Sequence, residues 1–302
     1  MASTNARVLV VIVTLLLGAA CGPRHSPPPP TPPLAGEEPI TVGTQFPVES
    51  TVLGETRNVT VLLPPGYAEH DGRYPVLYLL DGGVQQDFVP VAGLAALASL
   101  SGQYQEFILV GIQSNDRYYE LTTPSAVAFD RRRIPHNGGA DDFRRFVVDE
   151  LGPVIDQRYR TSGQDLLMGE SLAGFFVVDT FLREPEAFEG YIAVSPSLWW
   201  NDRDLARSAA TRLARADFPS DRALFLTVGD ETDIREPLEI VVAALGQHTP
   251  AGLRWWYEPM PAEQHGTIYH PAGLRALRLL LPPPRRLQRS RRRFDSSARH
   301  WA

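Results

Sequence analysis

The segment Asp165-Leu166-Leu167-Met168-Gly169-Glu170-Ser171-Leu172-Ala173-Gly174-Phe175-Phe176 limits what this chain can fold into more than any other. Leu166, Leu167 and Met168 form a short apolar run of the kind a buried strand needs, and the residues after Ser171 read as a helix. A strand that turns into a helix within a few residues passes through a sharp bend, and the positions two either side of its apex must be small. Gly169 and Ala173 meet that need, and Gly174 gives further room where the helix crosses the sheet. Strand, sharp turn and helix, with a serine at the apex, is the setting of a nucleophile elbow, whose usual pattern is G-x-S-x-G. Here Ala173 takes the last position. A serine ahead of a helix also serves as an N-cap, but the flanking apolar strand favours the elbow.

The rest of the chain alternates strand and helix around that segment. Strand patterns fall at 40–48, 57–63, 76–80, 107–112, 191–194, 223–228 and 253–257; helical patterns fall at 88–100, 141–159, 202–216, 237–246 and 272–281. The 76–80 run is apolar throughout, as in strands buried on both faces. Such alternation predicts an α/β fold, a mostly parallel, doubly wound sheet with helices on both faces, whose working groups gather at the carboxyl ends of the strands. At 302 residues and 43% hydrophobic content, the chain can bury one large core. The stretch 115–139 is polar and irregular, and a loop of that length beside a site is often its cover.

Both ends read as separate from that core. Arg7, an apolar run over 8–17 and Gly18-Ala19-Ala20-Cys21 have the order of a secretory signal, so residues 1–20 are expected to be a cleaved leader. Cys21 is the only cysteine, which excludes internal disulfides. Its position resembles a lipobox, with the leucine one place further back than usual; the expectation is a lipidated Cys21 and a proline-rich spacer over 21–38. A plain signal peptide with an incidental cysteine is the alternative. Residues 282–302 carry seven arginines and little apolar content, which reads as a solvated tail, leaving 39–281 as the domain. An exported protein tethered to the bacterial cell envelope has little access to nucleic acid. Nothing in the sequence states the oligomeric state.

A serine hydroxyl becomes a competent nucleophile when a base takes its proton and an acid orients the base. In elbow-bearing folds these follow in the order serine, acid, histidine. His265 lies just after the last strand, where the base belongs; His270, near the final helix, is its rival. The acid should follow the strand 223–228, where Asp230, Glu231 and Asp233 are available; Asp233 is preferred and Glu231 is next. Two backbone N–H groups should hold an oxyanion: that of Leu172, after the nucleophile, and that of Gly83, in a turn where glycine lets a ligand approach. Trp199 and Trp200 are adjacent in a loop, so they plug a core or line a cleft. Arg117 suits an anionic or phenolic group, although a surface ion pair is the commoner role for such an arginine. No H-E-x-x-H or paired histidines at ligand spacing occur, so no metal or cofactor is expected.

Gly169-x-Ser171-x-Ala173-Gly174, Ser195-Pro196-Ser197-Leu198-Trp199-Trp200, Gly138-Gly139-Ala140-Asp141, Glu263-x-His265-Gly266 and the 117–124 stretch together resemble the putative-esterase (esterase D-like) family of α/β-hydrolases. The branch holding siderophore esterases of the ferric-enterobactin type looks nearest. The likeness covers roughly 40–281 and implies an α/β-hydrolase fold with Ser171 as nucleophile and His265 as base. The acid matches less cleanly, because the spacing after Gly229 departs from the family by about a residue. The expectation is a serine carboxylesterase acting on a small-molecule ester, with an acyltransferase of the same fold or a catalytically silent binding lipoprotein as alternatives.

Overall fold

The computed structural model describes residue 36 and residues 38–283. The leader, Cys21, most of the proline-rich spacer and the arginine-rich tail from 284 onward lie outside the described residues. The chain divides into residues 1–40 and 41–302. All helices and strands described belong to the second unit.

In chain order these are β1 (Thr44–Ser50), β2 (Glu55–Leu62), β3 (Tyr74–Leu80), α1 (Phe88–Ser101), β4 (Ile108–Ile112), α2 (Arg117–Leu121), α3 (Ala128–Arg133), α4 (Ala140–Arg145), α5 (Gly152–Arg158), β5 (Thr161–Glu170), α6 (Leu172–Arg183), β6 (Gly190–Val194), α7 (Trp200–Leu213), β7 (Ala223–Thr227), α8 (Thr232–Gln247), β8 (Arg254–Tyr257) and α9 (Tyr269–Leu280). The strands form one sheet in the order β1-β2-β4-β3-β5-β6-β7-β8. β2 runs against both its neighbours, β1 and β4, and every pairing from β4 to β8 is parallel. This is the mostly parallel, doubly wound sheet expected from the alternation.

Successive residues of a strand face opposite sides, and the two faces carry separate cores. Val76, Tyr78, Leu80, Leu167, Tyr191 and Leu224 belong to one, under α4, α6, α7 and α8. Leu77, Leu79, Leu166, Met168, Ile192 and Phe225 belong to the other, under α1 and α9. Burial on both faces is why β3 is apolar at every position after Tyr74-Pro75, and why β5 turns apolar only where it enters the sheet centre at Leu166.

The helical run expected over 141–159 is present but changes pitch. Between α4 and α5, Phe146–Leu151 is π-helical, and the Gly152 N–H reaches back to the Val147 carbonyl. Pro153 follows directly and has no N–H to give, which favours the wider turn at this point. Arg144 of α4 and Asp179 of α6 pair where both are buried, and Arg183 Nε adds a bond to Asp179 at 2.6 Å. The helix that leaves Ser171 is thereby fixed at its far end.

The 115–139 stretch is not the irregular loop expected. It holds α2 and α3, which are too short for apolar periodicity to show. Arg57, 1% exposed, donates to Glu120 Oε1 at 2.7 Å, and Glu120 accepts the Asp116 N–H at 3.0 Å. That buried pair locks the turn from which Arg117 projects. Further on, the Ala126 N–H donates to Asn201 Oδ1 at 2.8 Å and Trp200 Nε1 to the Thr123 carbonyl at 2.9 Å. Asn201, Asp202 and Arg203 take left-handed backbone (φ 49°, 54° and 64°), so the regular part of α7 begins only after them.

Candidate active site

β5 delivers the chain to Ser171, whose backbone sits at φ 61°, ψ −119°, a region that L-residues occupy only when the surroundings hold them there. The surroundings are tight. A Cβ at position 169 would lie 2.7 Å from the Ala173 carbonyl carbon and its methyl, and one at 174 would lie 2.9 Å from the Val194 carbonyl oxygen. The space Gly169 leaves open is filled by Ala173, which accounts for an alanine where the usual pattern has glycine. The Ser171 N–H donates to the Val194 carbonyl at 3.0 Å, and the Ser197 N–H to the Ser171 carbonyl at 2.9 Å. Both bonds hold the bend against β6 and the turn after it.

Leu172 opens α6, so its N–H is one of the four at a helix start with no partner inside the helix. It lies beside the serine at the positive end of the helix dipole. Gly83 is different. Its N–H donates to Gln86 Oε1 at 3.0 Å, an oxygen that also accepts the Ser114 N–H at 3.3 Å. The turn after β3 folds its own side chain over this donor, which is therefore not free for an oxyanion. Leu172 is the expected donor that remains without a protein partner.

His265 comes from the loop after β8. That loop is clamped to the end of β7, with the Asp230 N–H on the Glu263 carbonyl at 2.8 Å and the Met260 N–H on the Val228 carbonyl at 2.9 Å. Gly229 permits the close approach, since a Cβ there would meet the Glu263 carbonyl oxygen at 2.7 Å. His265 Nδ1 lies 2.5 Å from Glu231 Oε1, and the other oxygen of Glu231 accepts the Ser195 hydroxyl at 2.6 Å. The carboxylate on the imidazole is therefore Glu231 and not Asp233. α8 begins at Thr232, five residues before the start read from Pro237, so Glu231 is the residue just ahead of the helix while Asp233 lies exposed in its first turn. His270 lies exposed in the first turn of α9.

Ser171 stands between two cavities of about 370 Å³ each. The first is walled by Tyr118, Phe129, Arg133, Ile134, Trp199 and Trp200, with Arg117, Leu172 and Ser197 toward the serine. The tryptophans divide the two roles expected of them. Trp200, 1% exposed, is a core plug; Trp199, 37% exposed, is cleft wall. The second cavity holds His265, Gln86, Asp81, Asp87 and Glu170. Arg117 borders both, and its Nε donates to Asp81 at 2.7 Å. Ser171 Oγ lies 3.3 Å from Ser197 Oγ. Serine and histidine thus share one cavity, with the hydroxyl turned to Ser197 in this state.

Several site residues had no signal in the sequence. Ser195 and Ser197 stand within the 195–200 motif, which gives neither a role of its own, yet Ser195 donates to Glu231 and Ser197 pairs with Ser171. Glu170 is half-buried; burial first, then repulsion from Asp87 and Glu231, pushes its carboxyl up to about 8. Burial and Asp81 push Asp87 up to about 6. Among the described residues, no three His, Cys, Asp or Glu side chains are arranged to hold a metal ion.

The family model described as "Putative esterase" matches residues 50–248. The ferri-bacillibactin esterase BesA of Bacillus subtilis is 34% identical over 145 residues, 42% of this chain and 49% of that protein. The siderophore triacetylfusarinine C esterase of Aspergillus fumigatus is 28% identical over 54% of this chain and 58% of that protein. The chain thus spans about half the length of these curated relatives. A crystal structure of an IroE-like serine hydrolase from Shewanella oneidensis superposes with a TM-score of 0.74 at 27% identity, covering 79% of this chain and 80% of the other.

Proposed function

The chain belongs to the family described as "Putative esterase", an α/β-hydrolase fold, and on that premise we propose that it hydrolyses carboxylic esters through an acyl-enzyme on Ser171. The observation that carries this reading is that His265, paired with Glu231, shares a cavity with a backbone-strained Ser171.

In the proposed reaction Ser171 Oγ leaves Ser197, turns to His265 Nε2 and attacks the ester carbonyl as the imidazole takes its proton. Glu231 accepts from Nδ1–H, which fixes the tautomer with Nε2 free and steadies the imidazolium that forms. The Leu172 N–H, reinforced by the α6 dipole, faces the oxyanion. His265 then returns the proton to the departing alkoxide, and a water activated by the same nitrogen releases the acid. Glu231 is a positioning residue throughout; Ser171 and His265 are the groups that meet substrate.

The relatives' names make siderophore esters candidate substrates. The first cavity suits an aromatic acyl group bearing a phenolate or other anion, with Trp199 as a flat wall and Arg117 as the cation. A charge-assisted hydrogen bond of this kind contributes about 1.5–3 kcal/mol. Arg117→Ala should therefore lower kcat/KM for 2,3-dihydroxybenzoyl esters by about tenfold more than for the matching benzoyl esters. Equal losses on both would remove Arg117 from acyl-group recognition.

We also propose that the protein is exported and held at the cell envelope through a lipid on Cys21, a reading supported by the leader and lipobox-like order of residues 7–21. Cys21→Ser should move the protein from the membrane fraction to the soluble fraction of its native host. Retention at the membrane would refute the anchor.

A further inference from the structure

The two cavities flanking Ser171 differ in charge. The first is aromatic, with Arg117 and Arg133 against one carboxyl group, that of Asp130, whereas the second gathers the carboxyl groups of Asp81, Asp87 and Glu170, none of which the proposed mechanism uses. Asp81 is only 5% exposed; its Oδ2 takes the Arg117 bond at 2.7 Å, while its buried Oδ1 has no partner. Glu170 Oε1 is likewise buried and unpartnered. Buried acceptors are ordinarily satisfied, and here two carboxyl oxygens of the residues that line this cavity have no donor within the protein. At pH 7 Asp81 and Asp87 oppose the single charge of Arg117, and Glu170, held up to about 8, ionises beside a bound cation, so the complementary occupant is a cation. The lack of a three-ligand metal arrangement among the described residues favours an organic cation bearing N–H donors.

His265 borders this same cavity. The imidazole that protonates the departing oxygen must stand on that oxygen's side of the serine, so the acidic cavity receives the alcohol half and the aromatic cavity the acyl half. Resting on the esterase reading, we propose that the cavity of Asp81, Asp87 and Glu170 is a subsite for a protonated amine on the alcohol half of the ester. Burial and mutual repulsion hold Asp87 up to about 6 and Glu170 up to about 8, and a bound ammonium would offset that repulsion.

The test compares 2-(dimethylamino)ethyl benzoate with its uncharged isostere, 3-methylbutyl benzoate, at pH 7, each rate normalised to hydrolysis by hydroxide. The wild-type ratio of kcat/KM, amine over isostere, should be about ten or more. It should fall at least severalfold in Asp87→Asn and in Glu170→Gln. Being a ratio within each variant, it is insensitive to the amount of folded protein, and the wild-type value stands even if one variant fails to fold. A wild-type ratio near one, or a ratio unchanged in both variants, overturns the subsite while leaving the esterase intact. If the wild type neither turns over either ester nor reacts with a fluorophosphonate, the esterase reading itself fails, and the subsite with it.

Discussion

Ser171→Ala is expected to lower kcat for any ester the wild type accepts by on the order of 10⁵-fold or more. Removal of a triad serine leaves only binding and oxyanion stabilisation to act on water. Here the residual rate should be especially small, because Leu172 is the expected oxyanion donor that the fold leaves free. Folding should not suffer. The strain at φ 61° belongs to the backbone and is kept in alanine. Ser171→Gly, by contrast, should lose activity equally and gain stability by about 1 kcal/mol, since glycine tolerates that region. Ester turnover followed alongside denaturant unfolding checks both halves. An alanine variant retaining more than a hundredth of wild-type activity would place the nucleophile elsewhere.

The second large effect concerns the acid. Glu231→Gln should lower kcat by about 10²–10⁴-fold with little change in KM, because an amide can present its NH₂ to Nδ1 and stabilise the wrong tautomer. Asp233→Asn should stay within about twofold, since that side chain lies exposed in the first turn of α8. Glu231 is anchored from both oxygens, to His265 Nδ1 at 2.5 Å and to the Ser195 hydroxyl at 2.6 Å. Ser195→Ala should therefore show a smaller loss in the same direction. Similar activity in the two acid variants would mean that serine and histidine act as a pair alone.

What could be read from the sequence followed from how local each signal is. The elbow is local: the Leu166–Met168 strand, the small residues and the following helix lie within a dozen positions. Buried strands such as β3 are equally local, since immersion in two cores demands apolar residues at nearly every position. The acid was harder, because its identity depends on where α8 begins. A proline usually marks a first turn, but Pro237 sits a turn further in, and the actual start puts Glu231 rather than Asp233 at the strand end. Gly83 failed for a different reason: whether its N–H is free depends on Gln86 folding back, which spacing does not encode. α2 and α3 are too short for periodicity, and Asn201, the first of the left-handed residues 201–203, is held by bonds to the chain at 126 and 130. The acidic cavity assembles residues 81, 87 and 170, which only the β3–β5 pairing brings together.

The most direct measurement is to treat the protein with a fluorophosphonate and locate the adduct by peptide mass spectrometry. The account requires a single adduct on Ser171, absent in Ser171→Ala and formed far more slowly in His265→Ala. An adduct on another residue, or labelling of Ser171 at the same rate without His265, would contradict it.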